Sequence, residues 1–243
     1  MRGMRAALLG WAGRNIMPDP KILLWDLETT DFSADWGHLL CAGYRWLGEK
    51  KVHVPSIMDY PKWLTHPLSD RRLCEDFREV LVQADMWITY FGKGFDVKFI
   101  QARLLEHKLA VLPNTPHVDM YFIAKANLAL RSKRLAAVSE FLGTDDEKTP
   151  LKKKEWRKAA SGDAAAIKYV IKHCSQDIKV LEQTYMRLRP LVRTHPRVAG
   201  LGPCRVCGSG HLQRRGTTMA VTAGPKARYH CVACGSWESR RLG

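Results

Sequence analysis

The sequence predicts an α/β protein: a mixed sheet of five strands flanked by helices, with a small cysteine-bearing unit at its C-terminal end. Three observations carry this. The run from Lys21 to Thr30 opens with apolar residues and ends in two acids, which reads as a buried strand. Strand and helix signals then succeed one another to about residue 190, strands dominating early and helices late. Beyond a stretch broken by proline and glycine, four of the seven cysteines fall in two Cys-x-x-Cys turns.

Residues 21–27, 38–47 and 50–55 read as strands, the last two joined by a hairpin at Gly48-Glu49. Leu73, Phe77, Val80 and Leu81 recur at helical spacing and predict a helix over 69–83. Residues 86–91 form the fourth strand, and Gly92-Lys93-Gly94 turns the chain into a helix whose apolar set is Val97, Ile100 and Leu104. A short strand at 117–120 precedes helices near 121–130 and 133–142. A charged segment spans 145–158, and a long helix runs from Asp163, a candidate N-cap, to about Arg189. Strands in this order with helices between them suit a mixed sheet covered on its faces. Pro190, Pro196, Gly200, Gly202 and Pro203 punctuate the chain beyond the long helix. The expected organisation is an N-terminal extension over 1–20, a main domain over 21–190, a linker over 191–202 and a small unit over 203–243.

A chain of 243 residues with 46% hydrophobic content suits one ordinary domain plus an appendage. The formal net charge of +15 favours an anionic partner, with nucleic acid ahead of a membrane surface or a merely soluble basic protein. No stretch approaches the ~20 apolar residues of a membrane span, so no membrane partner is expected. The apolar patch Ala6 to Trp11 is shorter than a typical secretion-signal core. Together with thiols patterned for metal rather than disulfides, this predicts a cytoplasmic protein.

Asp26 and Glu28 alternate with Leu27, so both carboxylates project from one face of the first strand. Two acids at a buried strand end repel each other and lose hydration, and a cation between them offsets both costs. The pattern points to a divalent-metal site, although an ordinary strand end entering an acidic turn fits the pair alone. Asp96 lies in the first turn of the helix after the fourth strand, beside glycines that permit close approach of a ligand. Asp177 sits on the long helix, with His173 one turn earlier and Tyr169 a turn before that, all on one face.

Together these segments resemble the DEDD exonucleases, the DnaQ-like family of the RNase H-like fold. Asp26-Leu27-Glu28 resembles the first motif, Tyr90 through Ile100 the second, and His173 through Asp177 the third. Leu135 through Gly143 looks like the helix between the last two. The resemblance covers about residues 21–190, and among relatives of this kind are phage and bacterial exonucleases that carry a C-terminal zinc ribbon. It implies two Mg²⁺ or Mn²⁺ ions. Asp26 would bridge both, Glu28 and Asp177 would hold the ion near the nucleophile, and Asp96 would act through metal-bound waters. His173 would orient or deprotonate the attacking water. Two departures stand out. Phe91 occupies a place where the family often has Asn. The third motif has histidine at the spacing where the family has tyrosine.

Cys204-x-x-Cys207-Gly208 and Cys231-x-x-Cys234-Gly235 offer four thiolates, a set that favours one structural Zn²⁺ in a zinc ribbon. Met219–Thr222 and Arg228–Cys231 are its candidate strands, and His211 and His230 are expected bystanders. So small a unit depends on its metal for stability. Its basic surplus, with Tyr229 and Trp237, favours contact with nucleic acid over a capping or protein-docking role.

Lys152, Lys153, Lys154, Arg157 and Lys158 near Trp156 fit either a grip on a nucleic-acid backbone or a solvated helix face. Asp119 fits a capping residue better than a further catalytic acid, and Cys174 is set aside as a nucleophile because neighbouring helical residues do not face each other. No phosphate-binding Gly-x-x-x-x-Gly-Lys-(Ser/Thr) loop occurs. The function expected is metal-dependent 3′→5′ exonuclease action on DNA rather than RNA, with replication or repair proteins as candidate partners. A structure-selective endonuclease, or a binding factor whose site has decayed, is the alternative.

Overall fold

The computed structural model describes residues 20–144, 152–192, 195, 203–220 and 224–242. The expected N-terminal extension over 1–20 lies outside the described residues except for its last position, as does most of the 191–202 linker.

The main domain comprises β1 (Ile22–Thr29), β2 (Leu39–Trp46), α1 (Arg71–Val82), β3 (Met86–Thr89), α2 (Asp96–Glu106), β4 (His117–Asp119), α3 (Met120–Asn127), α4 (Leu135–Leu142), α5 (Lys153–Ala160) and α6 (Ala164–Leu188). Its strands form one sheet in the order β2-β1-β3-β4. β2 runs antiparallel to β1, and the other two pairings are parallel.

Among the described residues the sheet therefore has four strands, not the expected five. Residues 50–55 do lie along β2. Tyr44 and His53 exchange both backbone hydrogen bonds, at 2.8 and 2.9 Å, and Ala42 donates to the Pro55 carbonyl at 3.0 Å. Proline has no N–H to return that bond, so the ladder stops at isolated bridges.

Alternation along β1 divides the core. Leu23, Trp25 and Leu27 pack on one side with Phe77, Leu81 and Phe99 from α1 and α2. Ile22 and Leu24 pack on the other with Leu181, Tyr185 and Leu188 of α6. The period of two then carries Asp26 and Glu28 onto the α6 side. Gly43, paired with Asp26 across the β1–β2 ladder, lets α6 come close. A Cβ there would sit 2.6 Å from Cys174 Sγ and 2.9 Å from Ile178 Cγ1.

The loop from β1 to β2 is fastened from behind. Arg103 of α2 donates two hydrogen bonds to Asp70, at 2.9 and 2.8 Å, and a third to the Ala34 carbonyl at 3.0 Å. Asp70 also accepts the Leu39 N–H at 2.8 Å and contacts His107 at 2.7 Å. Burial pushes the Asp70 pKa up, but Arg103, the Leu39 amide and His107 outweigh it, and the net shift is downward.

Past α6, β5 (Leu212–Ala220), β6 (Gly224–Cys231) and β7 (Trp237–Arg241) form a separate antiparallel sheet. Part of the expected Met219–Thr222 strand lies outside the described residues, while Arg228–Cys231 falls within β6. Between the two units His195 is buried, its Nε2 3.0 Å from the Tyr185 hydroxyl, so at least this position of the expected linker is anchored.

Candidate active site

Asp26 and Glu28 stand at the end of β1, where the register with β2 shifts between Glu28 and Thr29. Such a bulge re-aims side chains and often adjoins functional sites. Ligand atoms of Asp26, Glu28 and Cys174 lie within 4.8 Å of one another, and so do those of Glu28, His173 and Asp177. Glu28 thus links the strand acids to the α6 pair. On α6, His173 Nε2 is 3.7 Å from Asp177 Oδ2, as the four-residue spacing dictates. Glu28 and His173 are buried, and Asp26 and Asp177 are partly open to solvent.

Asp96 opens α2 and belongs to neither group among the described residues. β1 extends past its last partner on β3, and the Leu27 N–H there donates to Asp96 Oδ1 at 3.0 Å. The acid is therefore seated against the backbone between Asp26 and Glu28. Burial pushes its pKa up to about 7. The Leu27 N–H and its own N–H work against that rise, and the charge of Asp119 adds to it.

Asp119 serves as a cap. Its side chain accepts from the N–H groups of Phe91 (2.8 Å), Lys93 (2.9 Å) and Tyr121 (3.1 Å), which fixes both the 91–93 loop and the start of α3. Phe91 takes a left-handed φ of 68°, and its ring lies over Gly94, where an added Cβ would meet ring carbons at 2.4–2.7 Å. Asn tolerates this backbone region far better than an aromatic residue. Cys174 is fully buried, and its hydrogen bond with Cys41, together with burial, pushes its thiol well above the ordinary value. That leaves it protonated and unsuited to nucleophilic attack.

A cleft of about 460 Å³ adjoins Glu28. Phe32, Phe95 and Trp156 give it aromatic walls, and Lys153 and Arg157 give it cations. Of the basic set in the charged segment, Lys153 and Arg157, one turn apart on α5, face this cleft, while Lys158 pairs with Glu155 at 3.7 Å. Sequence reasoning missed Phe32 and gave Phe95, inside the second motif, no role of its own. The available signal was an aromatic residue set among Thr30, Asp31 and Ser33, and the structure leaves Phe32 90% exposed.

The second candidate metal centre is the cysteine quartet. Cys204, Cys207, Cys231 and Cys234 bring their sulfurs within 4.8 Å of one another. Two of the separations are 3.8 and 3.7 Å. A tetrahedron with Zn–S bonds of ~2.3 Å has edges of about 3.8 Å, so the four thiols fit zinc. The two turns share one backbone design. Gly208 and Gly235 take φ values of 75° and 72°, and each donates its N–H at 2.9 Å to the carbonyl of the first cysteine. Neither His211 nor His230 joins the quartet.

No helix among the described residues is long and apolar enough to cross a membrane. No curated protein matches the sequence. Among solved structures, the chain is similar to the family B DNA polymerase of the hyperthermophilic archaeon Pyrobaculum calidifontis, with a TM-score of 0.57 and 16% identity over 73% of this chain. The match spans only 26% of the polymerase chain, and at that identity it speaks for the fold. A family model described as the RNase H superfamily matches residues 23–189, from β1 through the last turn of α6. The chain belongs to the RNase H superfamily.

Proposed function

We propose that the chain is a metal-dependent 3′→5′ exonuclease that hydrolyses phosphodiester bonds of DNA. The observation that carries this is the convergence on Glu28, with Asp26 on one side and His173 and Asp177 on the other, at separations suited to ligands of one cation site. Oxygen donors of this kind favour Mg²⁺ or Mn²⁺. When bound, such ions supply Lewis acidity that lowers the pKa of water and neutralises charge on the leaving oxygen.

Asp26, Glu28 and Asp177 would hold the ions. Asp96, its Oδ1 engaged by Leu27, would keep the strand end in place and act at one remove. His173, next to Asp177, is the group suited to take the proton of the attacking water. Phe32, Phe95 and Trp156 would receive the terminal base beside Glu28, and Lys153 and Arg157 its phosphates. The cysteine quartet would hold one structural Zn²⁺ in a zinc ribbon. Polarity and the preference for DNA rest on the family resemblance, and replication or repair proteins are the partners that such an activity suggests.

A labelled oligonucleotide tests the reading in Mg²⁺, in Mn²⁺ and with neither. A ladder shortening from the 3′ end, on DNA more than on matched RNA, is the expected result. Internal cuts would make the protein an endonuclease. A second reading, a binding factor with a decayed site, draws on Phe91 and on the engagement of Asp96 with backbone. An intact but gel-shifted strand under all three conditions would establish it instead.

A further inference from the structure

The two faces of the C-terminal sheet differ in charge. Along β6, Lys226, Arg228 and His230 alternate to one side, and their partners on β7 are Arg241, Ser239 and Trp237. The one acid of this unit, Glu238, belongs to the opposite face. It is buried there and held by Arg205 at 3.1 Å and Arg240 at 2.6 Å. Tyr229 is on that inner face too, with the Arg240 guanidinium 5.0 Å from its ring centre. The outer face therefore carries cations and an aromatic ring, and the unit's one carboxylate is engaged by two arginines.

Trp237 is 45% exposed. The Arg228 guanidinium stands 4.9 Å from its ring centre and the His230 ring 4.8 Å. Trp237 and Arg228 line a cleft of about 570 Å³ together with Asn127, Pro190 and Leu191, and Glu238, held by Arg205 and Arg240, lines it as well. A flat ring flanked by cations is the arrangement on which single strands stack, since every base has a π-face and every linkage a negative charge.

We propose that this outer face is a second nucleic-acid site, which stacks a base of a single strand on Trp237 and meets the flanking phosphates with Arg228, Lys226 and Arg241. α6 sets its distance from the acid cluster. At ~1.5 Å of rise per residue, the path from Asp177 to Pro190 is roughly 20 Å. At ~3.4 Å per stacked nucleotide, that is on the order of six nucleotides. A strand whose end lies among the acids reaches Trp237 only when it is longer than this. The length threshold rests on the nuclease reading, but the test measures binding without cleavage, so the two can fail separately.

The test uses the full zinc-loaded chain carrying Asp26→Ala and fluorescence anisotropy of labelled single strands of three and twelve nucleotides. Trp237→Ala and Arg228→Glu are each expected to weaken binding of the twelve-nucleotide strand about tenfold and to leave the three-nucleotide strand unchanged. Arg228→Glu should also flatten the salt dependence by about one phosphate contact. Trp237→Phe, which keeps an aromatic ring, should restore most of the affinity. Zinc content of one ion per chain in each variant reports that the sheet is intact. Unchanged affinity for the longer strand would overturn the proposal, and so would an equal loss on both strands.

Discussion

Asp70 and Asp96 are both almost wholly buried beside the same sheet, yet their carboxyls shift in opposite directions, Asp70 down and Asp96 up to about 7. The difference lies in the partners. Asp70 receives a guanidinium through two parallel hydrogen bonds, with an amide and a histidine besides. Asp96 receives the amide of Leu27 and feels the charge of Asp119. A permanent cation makes the first acid a clamp on the fold. The second, packed at the strand that carries Asp26 and Glu28, is one whose charge an incoming cation would relieve. Buried acids in one domain thus divide into a group that stabilises and a group that is held ready.

Exchanging the roles should produce the largest effects. Arg103→Met leaves Asp70 buried without its cation, and we expect a loss of about 3–5 kcal/mol in denaturant unfolding. Asp26→Asn removes one of several crowded charges. It should leave the unfolding midpoint unchanged or raised while metal-dependent cleavage falls roughly a thousandfold, the several kcal/mol that a metal site contributes. A protein destabilised by Asp26→Asn to the extent that Arg103→Met destabilises it would erase the distinction.

Gly43→Ala tests how the second group is assembled. The new methyl would lie 2.6 Å from Cys174 Sγ, on the part of α6 that carries His173 and Asp177. Overpacking of this kind costs about 1–3 kcal/mol. A shift of the helix by even ~1 Å can cost about a hundredfold in rate. We therefore expect cleavage to fall further than stability, measured side by side. Equal activity would mean that α6 does not need this contact.

The two acids also predict opposite slopes against pH when no divalent ion is added. The folded pKa of Asp70 lies below its unfolded value, so its stabilisation is complete above about pH 4 and is lost as pH falls through the folded value. The folded pKa of Asp96, about 7, lies above its unfolded value. Its contribution is complete below about pH 4 and is lost as pH rises towards 7. Urea midpoints collected from pH 3 to 8 should show Asp96→Asn flattening the decline between about 4 and 7. An unaltered decline would mean that Asp96 is not its source.

Much of this was legible in the sequence because it depends on period and spacing. The period of two placed Asp26 and Glu28 on one face, and the four-residue step placed His173 against Asp177. Asp163 caps α6 through the Ala166 N–H, and the Cys-x-x-Cys turns close as their glycines require. What periodicity cannot carry was not legible. Residues 50–55 have the composition of a strand, and only the pairing shows that Pro55 must return a bond it lacks. Polarity alone would leave Arg103 at the surface, and the partner that lets it be buried, Asp70, lies 33 positions away in the chain. The contact of Gly43 with α6 and the seat of Asp96 against Leu27 likewise exist only once the elements have packed.

The smallest effect belongs to the 91–94 loop, which leads into Asp96 and is held by Asp119. A left-handed φ costs a residue with a Cβ roughly 1–2 kcal/mol. Phe91 takes that φ while its N–H reaches Asp119, and its ring gains contact with Tyr121 at 4.8 Å between centroids. An aromatic contact of this kind is worth about 0.5–1.5 kcal/mol. Phe91→Asn relieves part of the strain and forfeits the ring, so the two nearly cancel, and we expect a change within about 1 kcal/mol. A cycle with Gly94→Ala separates them. Alone, Gly94→Ala drives a methyl into the Phe91 ring. With Asn at 91 that obstacle is gone, and the alanine should be tolerated. The coupling should be about 1–2 kcal/mol in favour of the double variant. Additive effects would mean that the ring does not rest on Gly94 in solution, and the loop would then owe its shape to Asp119 alone.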